Sequence, residues 1–246
     1  EDISMSLIHS SFCYSGKDFS LVQDDSIVLS AGNAILIWNS STGKKDYIWS
    51  KRNGYNVVTS NYLKGYIAGA EFGLKPEIHI YKVPGKEMIC KFSAETKIRV
   101  TDMVFSRDGK YLLVLGGVPD FQIQIYDIEN DKKLNLIEND LPFKIAEYKK
   151  TKFNPQNSME FAILSTSSVY FFKITKAFEI ISKENQEELE DMERLSYIQY
   201  ENENPELAFT SFIWDQYKRV HICTDLPLVL QVDSQTATEE NQLSLQ

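Results

Sequence analysis

Three histidines and three cysteines are the side chains most able to do chemistry, and their spacing argues against it. His9, His79 and His221 fall on three well-separated stretches of the 246-residue chain. His79 in Ile78-His79-Ile80 and His221 in Val220-His221-Ile222 alternate with apolar neighbours. That is the pattern of a histidine packed in or on a strand, not of one presented as base or ligand. There is no His-Glu-x-x-His and no Cys-x-x-Cys spacing, so no metal centre is expected. Cys13, Cys90 and Cys223 are far apart and odd in number, which suits small core or near-core side chains in a reducing compartment rather than a disulfide framework. Gly69 to Gly73 and Gly116-Gly117 follow apolar runs but open no helix, so they are not phosphate loops. A Gly-x-Ser-x-Gly elbow is missing, and no carboxylate pair is singled out for acid–base work. The expectation is therefore no catalytic residue and no cofactor.

The elements that hold these residues are short strands, most regularly spaced over residues 99–133. Val100, Met103 and Phe105 lead into Ser106-Arg107-Asp108-Gly109, where Asp-Gly supplies the positive φ of a hairpin turn. Tyr111 to Leu115 reads as a buried central strand. Gly116-Gly117-Val118-Pro119-Asp120 breaks it. Ile123 and Ile125 alternate with Gln122 and Gln124 in the period of a half-buried strand that closes at Tyr126-Asp127.

Four further stretches repeat the unit. They are Ile27 to Asn39 around a Gly32-Asn33 turn, Tyr66 to Tyr81, Glu160 to Phe172, and Arg219 to Asp233. At the equivalent positions Trp38, Tyr81, Tyr126, Phe172 and Val232, expected to anchor each unit, the spacings are 43, 45, 46 and 60 residues. A period near 40–45 residues with about four short strands is that of a β-propeller blade. Fourth, outer strands are expected at Tyr47 to Trp49, Met88 to Phe92 and Leu134 to Ile137. A single β-sandwich gives no reason for an aromatic at the same point of four successive units. The fold expected is thus all-β, with about five blades over 27–233 forming part of a larger or shared propeller. Residues 1–26 are the lead-in, and 234–246 a polar linker or disordered tail.

The last spacing is long because of an acidic insertion. Residues 183–206 hold nine acidic and two basic side chains within a chain of net charge −9. Good helix formers dominate Lys183 to Leu195, so a solvated loop with a nascent helix is expected there. As a projecting element it makes Glu187, Glu188, Glu190, Asp191 and Glu193 candidates for docking a partner. Outside this segment and the tail the chain balances, with 24 basic against 24 acidic residues. A neutral body with an acidic insertion does not seek phosphate backbones, and Lys144 to Lys152 reads as a charge-protected strand edge. Aromatics are plentiful but not interleaved with clustered Lys and Arg, so no nucleic-acid partner is expected. No run is long and apolar enough for a membrane helix. Glu1-Asp2-Ile3-Ser4 has no signal-peptide character and no initiator Met, as expected of an excerpt from a longer chain.

The units resemble degenerate WD repeats. Trp38-Asn39 and Tyr126-Asp127 stand where that family has Trp-Asp, and Phe105-Ser106-Arg107-Asp108-Gly109-Lys110-Tyr111-Leu112 resembles its strand–turn–strand. The family's Gly-His pair is absent, so its hydrogen-bonded tetrad does not carry over, and support mainly from apolar packing is expected. A narrower resemblance is carried by Gly73 to Gly85 (with Leu74-Lys75-Pro76 and Pro84-Gly85), by Val118 to Asp127 (with Pro119-Asp120-Phe121), and by Phe153-Asn154-Pro155-Gln156-Asn157. These resemble the N-terminal propeller of the paired cilia- and flagella-associated proteins 43 and 44, and lean towards the protein 43 type. The resemblance implies a non-enzymatic scaffold of the ciliary axoneme that helps tether an inner-arm dynein motor domain to the doublet microtubule. Its implied partners are a sister tether protein of the protein 44 type, the inner-arm dynein heavy chain and, directly or through others, the doublet; coiled coils would follow in the parent chain. The alternative is a cytosolic WD-repeat assembly platform in trafficking or translation. A propeller hydrolase would need carboxylates converging on a central channel.

Overall fold

In a computed structural model, residues 19–23, 25–137, 140–143, 145–183 and 186–244 are described, with backbone alone at 178–183 and 186–191. His9 and Cys13, expected as packed or near-core side chains, lie outside the described residues. Apart from one 3-10 turn at Ile145–Glu147, the described regular structure is strand. Five sheets, antiparallel except for one short edge strand, follow one another along the chain in the manner of propeller blades.

The first sheet is β1 (Ser20–Val22), β2 (Ser26–Ala31), β3 (Ala34–Asn39) and β4 (Lys45–Trp49), and the second is β5 (Tyr55–Asn61), β6 (Tyr66–Glu71), β7 (Glu77–Lys82) and β8 (Glu87–Ser93). The third is ordered β12-β11-β10-β9, from β9 (Val100–Phe105), β10 (Tyr111–Gly116), β11 (Ile123–Asp127) and β12 (Lys132–Lys133). The fourth contains β14 (Tyr148–Asn154), β15 (Asn157–Ser165), β16 (Ser168–Lys183) and β17 (Gln186–Glu201), with β13 (Leu136–Ile137) along its outer edge. The fifth is β18 (Phe209–Trp214), β19 (Arg219–Thr224), β20 (Leu228–Asp233) and β21 (Thr238–Ser244).

Burial follows strand position. Central strands such as β10 and β11 are buried nearly throughout, whereas the outer strands β8 and β21 are mostly exposed. Stacked sheets cover both faces of their inner strands, so those sequences read as continuous apolar runs. The Asp-Gly turn forms as its residues require. Gly109 has φ +72°, Ser106 and Tyr111 close the hairpin at 2.8 Å, and Ser106 Oγ donates to Asp108 at 2.6 Å. In the Pro119-Asp120-Phe121 turn, Asp120 accepts from the Lys97 amide at 2.7 Å and lies 3.4 Å from the Lys97 ammonium.

Three expectations are corrected. Residues 238–244 are not a linker or disordered tail but β21, the outer strand of the fifth sheet, paired with β20 from Leu228↔Ser244 to Asp233↔Thr238. Lys183 to Leu195 is neither helix nor loop. β16 and β17 pair from Ser168↔Glu201 to Lys183↔Gln186; the pairing with β15 ends at Lys173 and that with β13 at Glu193, opposite Lys176, beyond which β16 and β17 continue as a two-stranded ribbon. Seven residues of each strand make that ribbon about 23 Å long. Helix propensity is a weak prior. Here it loses to pairing with a more β-prone partner, Ile174-Thr175-Lys176-Ala177-Phe178-Glu179-Ile180-Ile181. Finally, the expected strand Leu134 to Ile137 is split. Lys132–Lys133 pairs β11, while Leu136–Ile137 crosses to run parallel with Glu193 and Arg194 of β17.

The chain divides into two compact units, Glu1–Phe121 and Gln122–Gln246. The first has a core of Val22, Val28, Ile35, Ile37, Ile48, Tyr55, Ile67, Tyr81 and Val83, where the second sheet packs on the first. The second unit has a core of Phe209, Phe212, Val220, Ile222, Leu230 and Val232 packed on Ala162, Leu164, Val169 and Phe171. Polar contacts supplement apolar packing within the first unit. Asn56 and Asn61, both buried on β5, donate from Nδ2 to backbone carbonyls of the next sheet's first hairpin. Asn56 reaches Val100 at 2.6 Å, and Asn61 reaches Ser106 at 2.8 Å and Arg107 at 3.0 Å.

Candidate functional site

The five expected anchor positions all fall on the third strand of their sheets, and four of them are buried. Tyr81 belongs to the first unit's core. Tyr126 donates from its hydroxyl to Gln124 at 2.9 Å, Phe172 stacks on Phe161 at 4.9 Å, and Val232 lies in the second unit's core. Trp38 departs from the pattern at 37% exposed. Its neighbour Ile37 points into the core shared with the second sheet. Strand alternation therefore turns Trp38 to the opposite face.

The acidic candidates sit on β17. Glu187, Glu188, Glu190 and Asp191 are in register with Ser182, Ile181, Glu179 and Phe178; their side chains lie outside those described. Glu193 is described and already engaged. Its carboxylate accepts from the Asn135 amide at 3.2 Å, and its own amide donates to the Asn135 carbonyl at 2.9 Å. It thus pins β13 to the edge of β17. Cys223 is exposed, not near-core, and Cys90 is half-buried.

Contrary to the expectation of no clustered ligands, the second sheet gathers titratable groups on one face. Glu77, His79 and Tyr81 recur at every second residue of β7, which puts them on one side of the strand. Tyr55 of β5 pairs with Glu71 of β6, and Gly69 pairs with His79. The lack of a side chain at Gly69 is needed, because a Cβ there would lie 2.6 Å from the Tyr55 ring. The ring occupies that space, so its hydroxyl meets Tyr81 Oη at 2.9 Å and His79 Nδ1 at 3.4 Å. His79 Nε2 lies 3.3 Å from Glu77 Oε2, and Nδ1 lies 3.9 Å from Glu71 Oε1. Ser50 Oγ donates to Glu71 Oε1 at 2.8 Å.

Charge is unevenly matched in this cluster. Lys91 donates to Glu77 Oε1 at 3.1 Å and Arg52 lies 3.9 Å from it. With Lys91 first and His79 next, these contacts hold the Glu77 carboxyl below its ordinary range. Burial, followed by the contact with its partner hydroxyl, pushes Tyr55 far up, and burial also raises Tyr81, so both hydroxyls stay neutral. Glu71 is 1% exposed, and its Oε2 has no hydrogen-bond partner among the described residues. These residues floor a cavity of about 480 Å³ that Ile48, Trp49 and Met88 also line. The signal available in the sequence was the Glu-x-His-x-Tyr alternation of β7. Its completion by Glu71, Tyr55 and Gly69 depends on the strand register.

A second histidine–carboxylate group differs in being saturated. Asp215 Oδ1 accepts from the amides of Tyr217 at 2.7 Å and Arg219 at 3.0 Å, while Oδ2 faces Arg219 Nε at 2.9 Å and His221 Nε2 at 3.3 Å. Burial alone would raise this carboxyl, but those donors outweigh it and bring it down to about 2.

Comparison with known proteins gives a family and a fold. The family model described as the CFAP43 N-terminal domain matches residues 16–189. Cilia- and flagella-associated protein 43 of Mus musculus is 23% identical over 164 residues, covering 67% of this chain and 10% of that protein. The Xenopus laevis protein of the same name is 22% identical over 158 residues, covering 64% of this chain and 10% of its own length. The chain thus spans about a tenth of the length of these curated relatives. Among solved structures, a WD-repeat propeller chain from the crystal structure of the mitotic checkpoint complex superposes with a TM-score of 0.63. That match covers 92% of this chain and 65% of the other at 10% identity, and speaks to fold alone.

Proposed function

Because the chain belongs to the CFAP43 N-terminal domain family, we propose that it is a non-catalytic scaffold of the ciliary axoneme that helps tether an inner-arm dynein motor domain to the doublet microtubule. The observation that carries this reading is the family match over residues 16–189. Five blade-like sheets support it physically, since such sheets offer loops and outer edges for protein contact rather than one reaction centre. The partners proposed are a sister tether protein of the cilia- and flagella-associated protein 44 type and the inner-arm dynein heavy chain. Contact with the doublet is local or indirect.

The β16–β17 ribbon is the proposed docking element. It runs past the rest of its sheet, and its β17 strand carries Glu187, Glu188, Glu190 and Asp191. Extraction of axonemes from motile cilia expressing a tagged chain tests the reading. The chain should fractionate with the inner-arm dynein heavy chain, and its absence from that fraction overturns the tether role. Replacing the four acidic residues by their amides should reduce this co-fractionation and leave thermal stability unchanged. Undiminished co-fractionation would move the docking surface elsewhere.

A further inference from the structure

We infer that Glu71, Glu77 and His79 form a binding site for one divalent metal ion of the zinc class on the inner face of the second sheet. Each residue offers one ligand atom, and these atoms all lie within 4.8 Å of one another. Two carboxylate oxygens and an imidazole nitrogen are a donor set suited to Zn²⁺ and neighbouring first-row ions. A tetrahedral site with bonds of about 2.0–2.1 Å has ligands roughly 3.4 Å apart, so side-chain movements of about 1 Å close the cluster around an ion. Glu77 Oε2 and His79 Nε2, at 3.3 Å, are already at that separation.

Burial supplies an independent reason. Glu71 is enclosed, lines the cavity, and keeps one carboxylate oxygen without a hydrogen-bond partner among the described residues. A buried carboxylate in that state is costly unless a cation or a proton meets it. Of the four Lys and Arg side chains that line the cavity, Lys51 is exposed to solvent and the other three are engaged elsewhere. Lys91 and Arg52 are on Glu77 Oε1, and Lys86 is on Asp46 at 2.6 Å. A divalent ion supplies the missing charge, and the cavity of about 480 Å³ gives it an entrance and room for water ligands.

Support behind the ligands is also in place. With Nε2 of His79 taking the ion beside Glu77 Oε2, the other ring nitrogen, Nδ1, has Tyr55 Oη beside it at 3.4 Å. Such a partner fixes the tautomer and orientation of a metal-binding histidine. The Asp215–His221 group has no such vacancy, because both oxygens of Asp215 already accept hydrogen bonds.

The test uses the chain without a histidine tag, stripped with chelator and titrated with Zn²⁺ alone by calorimetry and thermal melting. One ion should bind per chain, and the melting temperature should rise with Zn²⁺. Glu71→Gln and His79→Gln should each weaken binding by more than about 100-fold, beyond the roughly 10–100-fold that follows loss of a partner behind a ligand. His221→Gln and Cys223→Ser should bind like the parent. Should Glu71→Gln fail to fold in chelator, Co²⁺ bound to the parent chain provides a second reading. Its visible spectrum should show nitrogen and oxygen ligation without a thiolate band, and His79→Gln should abolish it. No saturable binding, unchanged binding in Glu71→Gln or His79→Gln, or binding lost on Cys223→Ser would each overturn the site.

Discussion

At the scale of single residues, Asp215 and Glu71 show two outcomes of placing a carboxylate beside a histidine. Asp215 is surrounded by donors that hold its carboxyl down to about 2, whereas Glu71 keeps an oxygen with no hydrogen-bond donor among the described residues. For Asp215 the sign of the pH effect follows directly. A carboxyl depressed in the fold contributes stability that is complete above its unfolded value, about 3.9, and is lost as the pH falls through its folded value. Asp215→Asn should therefore cost about 1–2 kcal/mol at neutral pH, and this difference should shrink between about pH 4 and pH 2. Urea unfolding of both proteins at about pH 7 and pH 2.5 measures it. A difference that stays constant across that range would show that the ionised carboxylate is not what these donors stabilise. Neither group was legible as a unit in the sequence. His79 and His221 were recognisable as strand residues, but Glu71 and His79 meet only because β6 and β7 pair in one particular register.

At the scale of elements, the turns and inner strands were legible because their signals are local. Ser106 to Gly109 carries its own turn chemistry, and the apolar run from Leu112 to Leu115 needs nothing but burial. β17 was not legible, because its residues favour helix and only the strand opposite them decides otherwise. The links between sheets were equally hidden. Asn61 satisfies its own turn through Oδ1, accepting from the Lys64 amide at 2.8 Å, and uses Nδ2 to hold two carbonyls of the next hairpin. Removing it strands buried carbonyls, which costs about 1–3 kcal/mol. Asn61→Ala should thus shift the denaturation midpoint by that amount. Asn241→Ala on the exposed strand β21 should stay within roughly 0.5 kcal/mol of the parent. Equal effects from the two substitutions would mean that the buried asparagine link contributes nothing beyond ordinary surface polarity.

At the scale of the whole molecule, charge constrains how the chain can attach to its surroundings. The net charge is −9, and it comes from the segment 183–206 and the tail, with the remainder balanced. Such a surface gains nothing from broad attraction to another acidic surface, so the proposed attachment to the axoneme would rest on shape and on local contacts. Surface charge interactions are screened over about 8 Å at physiological ionic strength, and over about 3 Å at 1 M. Attachment through buried, well-fitted contacts should therefore persist when salt is raised from roughly 0.1 M to 0.5 M, a range across which exposed ion pairs weaken. Sedimentation of the chain with axonemes over this range measures it. A steep loss of binding with salt would assign attachment to exposed ion pairs. Because the four acidic residues of β17 are the densest charge on the chain, their amide variants should then release from axonemes at every salt concentration. If binding is instead insensitive to salt and unaffected by those variants, the contact surface lies on the balanced body of the molecule.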